Sequence, residues 1–174
     1  MSIYRTKTYI AGDWDGDRDA VEKLRQWNDS NYWNLSFTDA HDLTQARDNS
    51  LNCSIKASLK KRMDASKRFV LIVGEKTDSV RAGSCYLCNN YSNYSEICKN
   101  RRYIDKKSFI KYECNEAIKS NITIIVLYKS TRVDKEKCPE SLRNKGNHYP
   151  MWQRDSDGNV YWDYQTVKRA FDSI

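Results

Sequence analysis

The chain has 174 residues, with 30 Lys and Arg against 23 Asp and Glu, a formal charge of +7 and a pI near 9.0. That length suits one domain, or one domain carrying an insertion, and is ample for a single hydrophobic core. A 39% hydrophobic and 12% aromatic content argues against a disordered chain, and six Gly and two Pro exclude a collagen-like or Pro-rich one. The longest apolar runs, residues 69–73 and 122–128, fall far short of the roughly 20 residues of a membrane span. The N-terminus has no apolar signal core. The expectation is a soluble, cytoplasmic domain with no membrane partner and with its six cysteines reduced.

Residues 8–11 read as a short strand, followed by the turn-rich acidic loop from Gly12 to Asp17. Ala20, Val21, Leu24 and Trp27 then recur at helical spacing, with Asp17 and Asp19 near the start, where the helix dipole favours acid. Residues 35–38 read as a second strand, and 39–52 as a polar stretch containing His41. A helix is expected over 54–67, where Ile55, Leu59 and Met63 stack, and a fully buried strand over 69–73, ended by Gly74. Segment 76–107 breaks the rhythm: it is rich in Cys, Tyr and Asn and reads as an insertion. A helix over 108–120 and the strongest strand, 122–128, follow. The segment 130–174 reads as an irregular C-terminal extension with a turn at Asp157 and Gly158 and a closing helix over about 164–171.

Alternating strands and helices with continuously apolar strands predict a mostly parallel sheet covered by helices on both faces. The fold expected for residues 1–174 is therefore one flavodoxin-like, doubly wound α/β domain. Such sheets bind ligands beyond the carboxyl ends of their strands.

Along the 108–120 helix, Ile110, Cys114, Ala117 and Ile118 share the core face, while Phe109, Glu113 and Glu116 form the stripe beside it. A half-withdrawn carboxylate one turn from an aromatic suits a pocket wall; the alternative is a boundary glutamate paired with Lys106 or Lys107. Asp13 and Trp14 have the chemistry to hold a ribose and stack on a base, but their loop equally serves as a plain helix-capping turn. It fits neither a dinucleotide fingerprint nor a phosphate loop. His41, placed at the end of the second strand, is a candidate for the same cleft or a solvated loop histidine. Cys85 and Cys88 form a CxxC pair that Cys98 and Cys114 would complete as a structural zinc site, although a thiol on a core face is also a small hydrophobe. Basic clusters at 56–68 and 99–111 lack any nucleic-acid motif, so solvated helix faces are expected rather than a nucleic-acid partner.

Taken together, Tyr9 to Asp13, Ser36 to Asp39, the unit from Ser54 to Val73, and above all Phe109 to Glu113 ahead of the 122–128 strand resemble the bacterial TIR-like, ThsB-like family of Thoeris anti-phage defence systems. In TIR enzymes the helix before the fourth strand carries a W-x-x-x-E pattern whose Glu is needed to cleave the nicotinamide–ribose bond of NAD. Glu113 matches that Glu, and Phe109 stands where the Trp would be. The resemblance implies a TIR-type fold and an NAD-consuming hydrolase or ADP-ribosyl cyclase. Glu113 would be catalytic, with Asp13, Trp14, His41, Phe109 and Tyr112 around the substrate. It further implies self-association, a phage-derived trigger, and a separate effector reached through an ADP-ribose-derived product, cyclic or conjugated. The competing expectation is a non-enzymatic adaptor of the same fold, for which Glu113 would be dispensable.

Overall fold

The computed structural model describes residues 4–40 and 51–173. In chain order the elements are β1 (Lys7–Ala11), α1 (Arg18–Asp29), α2 (Asn52–Asp64), β2 (Ser66–Val73), the short strands β3 (Tyr91–Ser92) and β4 (Ile97–Cys98), α3 (Phe109–Lys119), β5 (Thr123–Tyr128), β6 (Asn147–Pro150), β7 (Trp152–Arg154), β8 (Val160–Trp162) and α4 (Tyr164–Asp172). The central sheet is parallel and runs β1-β2-β5-β6.

Side chains alternate across a strand, and here both faces are apolar. Tyr9, Phe69, Leu71, Val73, Val126 and Tyr128 pack with Leu59, Met63, Ile110, Cys114 and Ala117 of α2 and α3. Ile10, Val70, Ile72, Ile125 and Leu127 pack with Ala20, Val21, Leu24, Trp27, Val167, Ala170 and Phe171 of α1 and α4. The sheet is thus a middle layer between two helical ones, which is why its strands read as unbroken apolar runs.

The expected second strand is corrected in form but not in position. Asn34 and Ser36 take left-handed backbone, at φ 44 and 57, which a strand does not tolerate. The segment nevertheless lies along the outer edge of β1, where Thr8 N donates to Thr38 O at 2.8 Å and Thr8 bridges Asp39 in parallel. Counting that edge as the second strand, the sheet has the 2-1-3-4-5 order of flavodoxin-like folds.

Segment 76–107 contains the β3–β4 hairpin and a single helical turn at Cys85–Leu87. Lys56, buried on α2, ties it down: its ammonium lies 2.7 Å from Lys107 O and 3.3 Å from the Asp105 carboxylate. The C-terminal segment is more regular than expected. Residues Asn147–Pro150 add β6 to the sheet beside β5, and β7 pairs with β8 around the expected turn, where Gly158 takes φ +88. The closing helix forms as expected, with the Asp163 carboxylate accepting from Thr166 N at 2.9 Å.

Candidate functional site

The loop after β1 turns sharply. Asp17 N donates to Asp13 O at 2.6 Å, and Asp13 N donates back to the Asp17 carboxylate at 3.2 Å. Asp17 is buried, and burial pushes its carboxyl up to about 6. Its Oδ1 would lie 1.9 Å from a Cβ on Gly74, so the end of β2 must be glycine for the loop to sit down on it.

This fold leaves a cavity of about 350 Å³ between the Gly12 to Asp15 loop, Ile55, Leu59 and Arg62 of α2, Val80 and Ala82 after β2, and Phe109, Ile110 and Glu113 of α3. Ser108 starts α3 by accepting from Lys111 N at 3.3 Å, and that start fixes which residues face inward. Phe109 N donates to Ala82 O at 2.7 Å. Gly83, at φ +92, lies so close to the ring that a Cβ there would meet Phe109 Cδ1 at 2.5 Å. The first residues of the insertion therefore hold the Phe109 ring in the cavity wall.

Glu113 is 8% exposed, and its Oε1 accepts a 2.5 Å hydrogen bond from Tyr9 Oη, reaching across from β1. Burial pushes the Glu113 carboxyl up to about 7, against the Tyr9 hydrogen bond and the Arg62 charge, which both pull it down. The Tyr9 hydroxyl is itself pushed well above its usual range, first by burial and then by Glu113. The alternative pairing of Glu113 with Lys106 or Lys107 is absent: Lys106 faces Glu96 at 3.6 Å, and the Lys107 carbonyl caps Lys56. The arrangement offers a carboxyl at the threshold of ionisation in an apolar cavity, flanked by aromatic rings.

Of the expected substrate residues, Asp13, Trp14 and Phe109 meet around this cavity with Glu113, the expected catalytic residue. Trp14 is 48% exposed, and the Arg25 guanidinium sits 5.8 Å from its ring. Tyr112 does not join them. One residue before Glu113 on a helix points elsewhere, and its ring carries the Lys56 ammonium at 5.6 Å. His41 lies outside the described residues. Nor does the cysteine quartet assemble. Cys114 is fully buried in the core with Cys138, Cys85 Sγ accepts from Asp105 N at 3.2 Å, and no group of three or more His, Cys, Asp or Glu among the described residues is placed to hold a metal ion.

Tyr9 and Arg62 escape sequence reasoning because each sits among residues that read as core or as a solvated basic face. For Tyr9 the available signal was a hydroxyl in a strand whose other residues are apolar, since a buried hydroxyl requires a partner.

A parallel sheet in this order, with helices on both faces, defines a flavodoxin-like α/β domain. Residues 9–82 match the family model described as Thoeris protein ThsB, TIR-like domain. That match takes in Asp13, Trp14 and Arg62 and makes this part of the chain similar to a TIR-like domain. No curated protein matches the chain. No helix among the described residues is long and apolar enough to cross a membrane.

Proposed function

We propose that the protein cleaves the nicotinamide–ribose bond of NAD and passes on an ADP-ribose-derived product, cyclic or conjugated, as the signal to a separate effector in anti-phage defence. The observation that carries this reading is Glu113, buried at the end of a cavity walled by Phe109 and the Asp13 to Trp14 loop.

In the reaction the C1′–N bond breaks with its electron pair leaving on the ring nitrogen. Nicotinamide departs neutral and needs no general acid. The ribose left behind is oxocarbenium-like, as in glycoside hydrolysis. Ionised Glu113 opposes that charge from a site shielded from water, where electrostatic stabilisation is strongest. Tyr9 holds the carboxylate in place through its hydroxyl, and Phe109 offers a face for the flat ring. Water or another nucleophile then adds to C1′ and releases a proton.

The test is incubation of concentrated protein with NAD, alone and in phage-infected lysate, following nicotinamide and product masses. The wild type is expected to release nicotinamide. Glu113→Gln, which keeps an oxygen for Tyr9 and removes the charge, is expected to release it at least 100-fold more slowly, on the order of one lost transition-state charge interaction. Equal release by both would remove Glu113 from the chemistry, and silence of the wild type in both settings would favour the adaptor role.

A further inference from the structure

Asp13 lines the Glu113 cavity and also a neighbouring cavity of about 250 Å³. Lys76, Lys129 and Trp152 line that second cavity, and Trp152 in turn lines a third, open one of about 560 Å³. Each adjacent pair shares one wall residue, Asp13 and then Trp152, which sets the three in series as a trough from the β1 loop to the β7–β8 hairpin. Neighbouring strands lie about 4.8 Å apart, so the crossing from β1 to β5 is on the order of 10 Å.

Each end of this trough has its own chemistry. In the hairpin, Trp152 pairs with Trp162 and Arg154 with Val160, which puts all four on one face, and all four line the third cavity. The two indoles meet edge to face at 5.6 Å, and Val160 beside them is 45% exposed. Trp162 also meets the Trp27 ring at 6.5 Å and Arg154 donates to Gly158 O at 2.8 Å, so the hairpin face is an ordered indole pair of a kind that suits a flat, electron-rich base. Between the ends stands Lys129, held 2.7 Å from Asp19 and 2.8 Å from Gly16 O. With those two bonds made, the third N–H of the ammonium remains as a donor for a phosphate oxygen. Four carboxylates also line the second and third cavities: Asp19 pairs with Lys129, and Asp13 accepts from Asp15 N at 3.3 Å. Asp17 faces Gly74 and the Asp13 amide, and Glu75, 84% exposed, pairs with Lys137 at 2.6 Å.

We infer that the trough takes a dinucleotide end to end, with the bond to be cut at Glu113, the diphosphate at Lys129 and Lys76, and the adenine on the Trp152–Trp162 face. The assignment of ends rests on the NAD-cleaving reading. The C-terminal hairpin, outside the family match at 9–82, then supplies the contacts that distinguish a whole dinucleotide from its nicotinamide half.

Calorimetric titration with ADP and, separately, with nicotinamide mononucleotide tests this on the wild type, Lys129→Ala, Trp162→Ala and Val160→Asp. Circular dichroism checks each fold, and Val160, being exposed, is the variant expected to keep it. The wild type is expected to bind both probes. Trp162→Ala and Val160→Asp should weaken ADP roughly tenfold or more while leaving nicotinamide mononucleotide bound as before, and Lys129→Ala should weaken both, since each probe carries phosphate. No ADP binding by the wild type, or ADP binding indifferent to the hairpin variants, overturns the inference. Hairpin-dependent ADP binding without nicotinamide release would instead defeat the NAD-cleaving reading and leave a nucleotide trough standing. Nicotinamide release with ADP binding indifferent to the hairpin would do the reverse.

Discussion

Glu113 couples ionisation to folding. Its carboxyl is held near 7 in the folded chain against an ordinary 4.5. Between those two values the unfolded chain has lost the proton while the folded one keeps it, so stability falls as pH rises through the window. The full difference is on the order of 3 kcal/mol at most. Glu113→Gln removes the titration and retains the acceptor for Tyr9. It is therefore expected to be more stable than the wild type at pH 8, by about 1–3 kcal/mol, and to match it near pH 4. Urea unfolding at both values measures this, and a gap that does not change with pH would refute it. Activity should move the opposite way, because the ionised form opposes ribosyl charge: nicotinamide release is expected to climb as pH passes through about 7. A rate flat across that range would detach the carboxyl from catalysis.

Among the elements, the insertion matters to the site through two clamps. Lys56 fixes its C-terminal end to α2, by bonds to Asp105 and Lys107, and Ala82 and Gly83 press its beginning against Phe109. Lys56→Met leaves Asp105 without its buried partner and should cost roughly 3 kcal/mol, with faster amide exchange over 85–105 and slower nicotinamide release. Unchanged protection there would show that the hairpin holds itself. The helices and the inner strands were legible in the sequence because each buries an apolar face, and that burial leaves its period in the residues. Glu113 and Phe109 were legible for the same reason, standing one turn apart beside the core stripe of α3. The edges were not. Left-handed backbone at Asn34 and at Ser36 breaks the 35–38 strand that hydrophobicity alone would draw, and Asn147–Pro150 joins the sheet through backbone bonds, with side chains that carry no alternation. The cysteines misled because spacing along the chain says nothing of Cys114 being sealed between α3 and the sheet. Tyr9 to Glu113 is a contact between residues far apart in sequence, and only the assembled sheet reveals it.

At the scale of the whole molecule, the family match covers β1 from Tyr9 onward, α1, α2 and β2, which is only part of a sheet that needs both of its faces covered. One of those faces is closed from the other end of the chain. Val167 and Ala170 are fully buried and Phe171 is 3% exposed, packed with Val70, Ile72, Ile125 and Leu127. Arg68, itself buried, donates to Phe171 O at 3.1 Å, with its guanidinium 4.8 Å from the Phe171 ring centroid. Removing α4 would expose the central strands and leave that guanidinium without its carbonyl. Lost burial of Val167, Ala170 and Phe171 alone is worth about 5 kcal/mol, and a domain of this size has roughly 5–15 kcal/mol in all. A chain ended at Asp163 is thus expected to lose its cooperative thermal transition and, with it, nicotinamide release. A sharp transition within a few degrees of the full chain's would make α4 an appendage and return the sheet's stability to its N-terminal part. If the transition is lost, the β7–β8 hairpin that α4 follows is held in place by the same core as Glu113, and the two ends of the trough are parts of one folding unit.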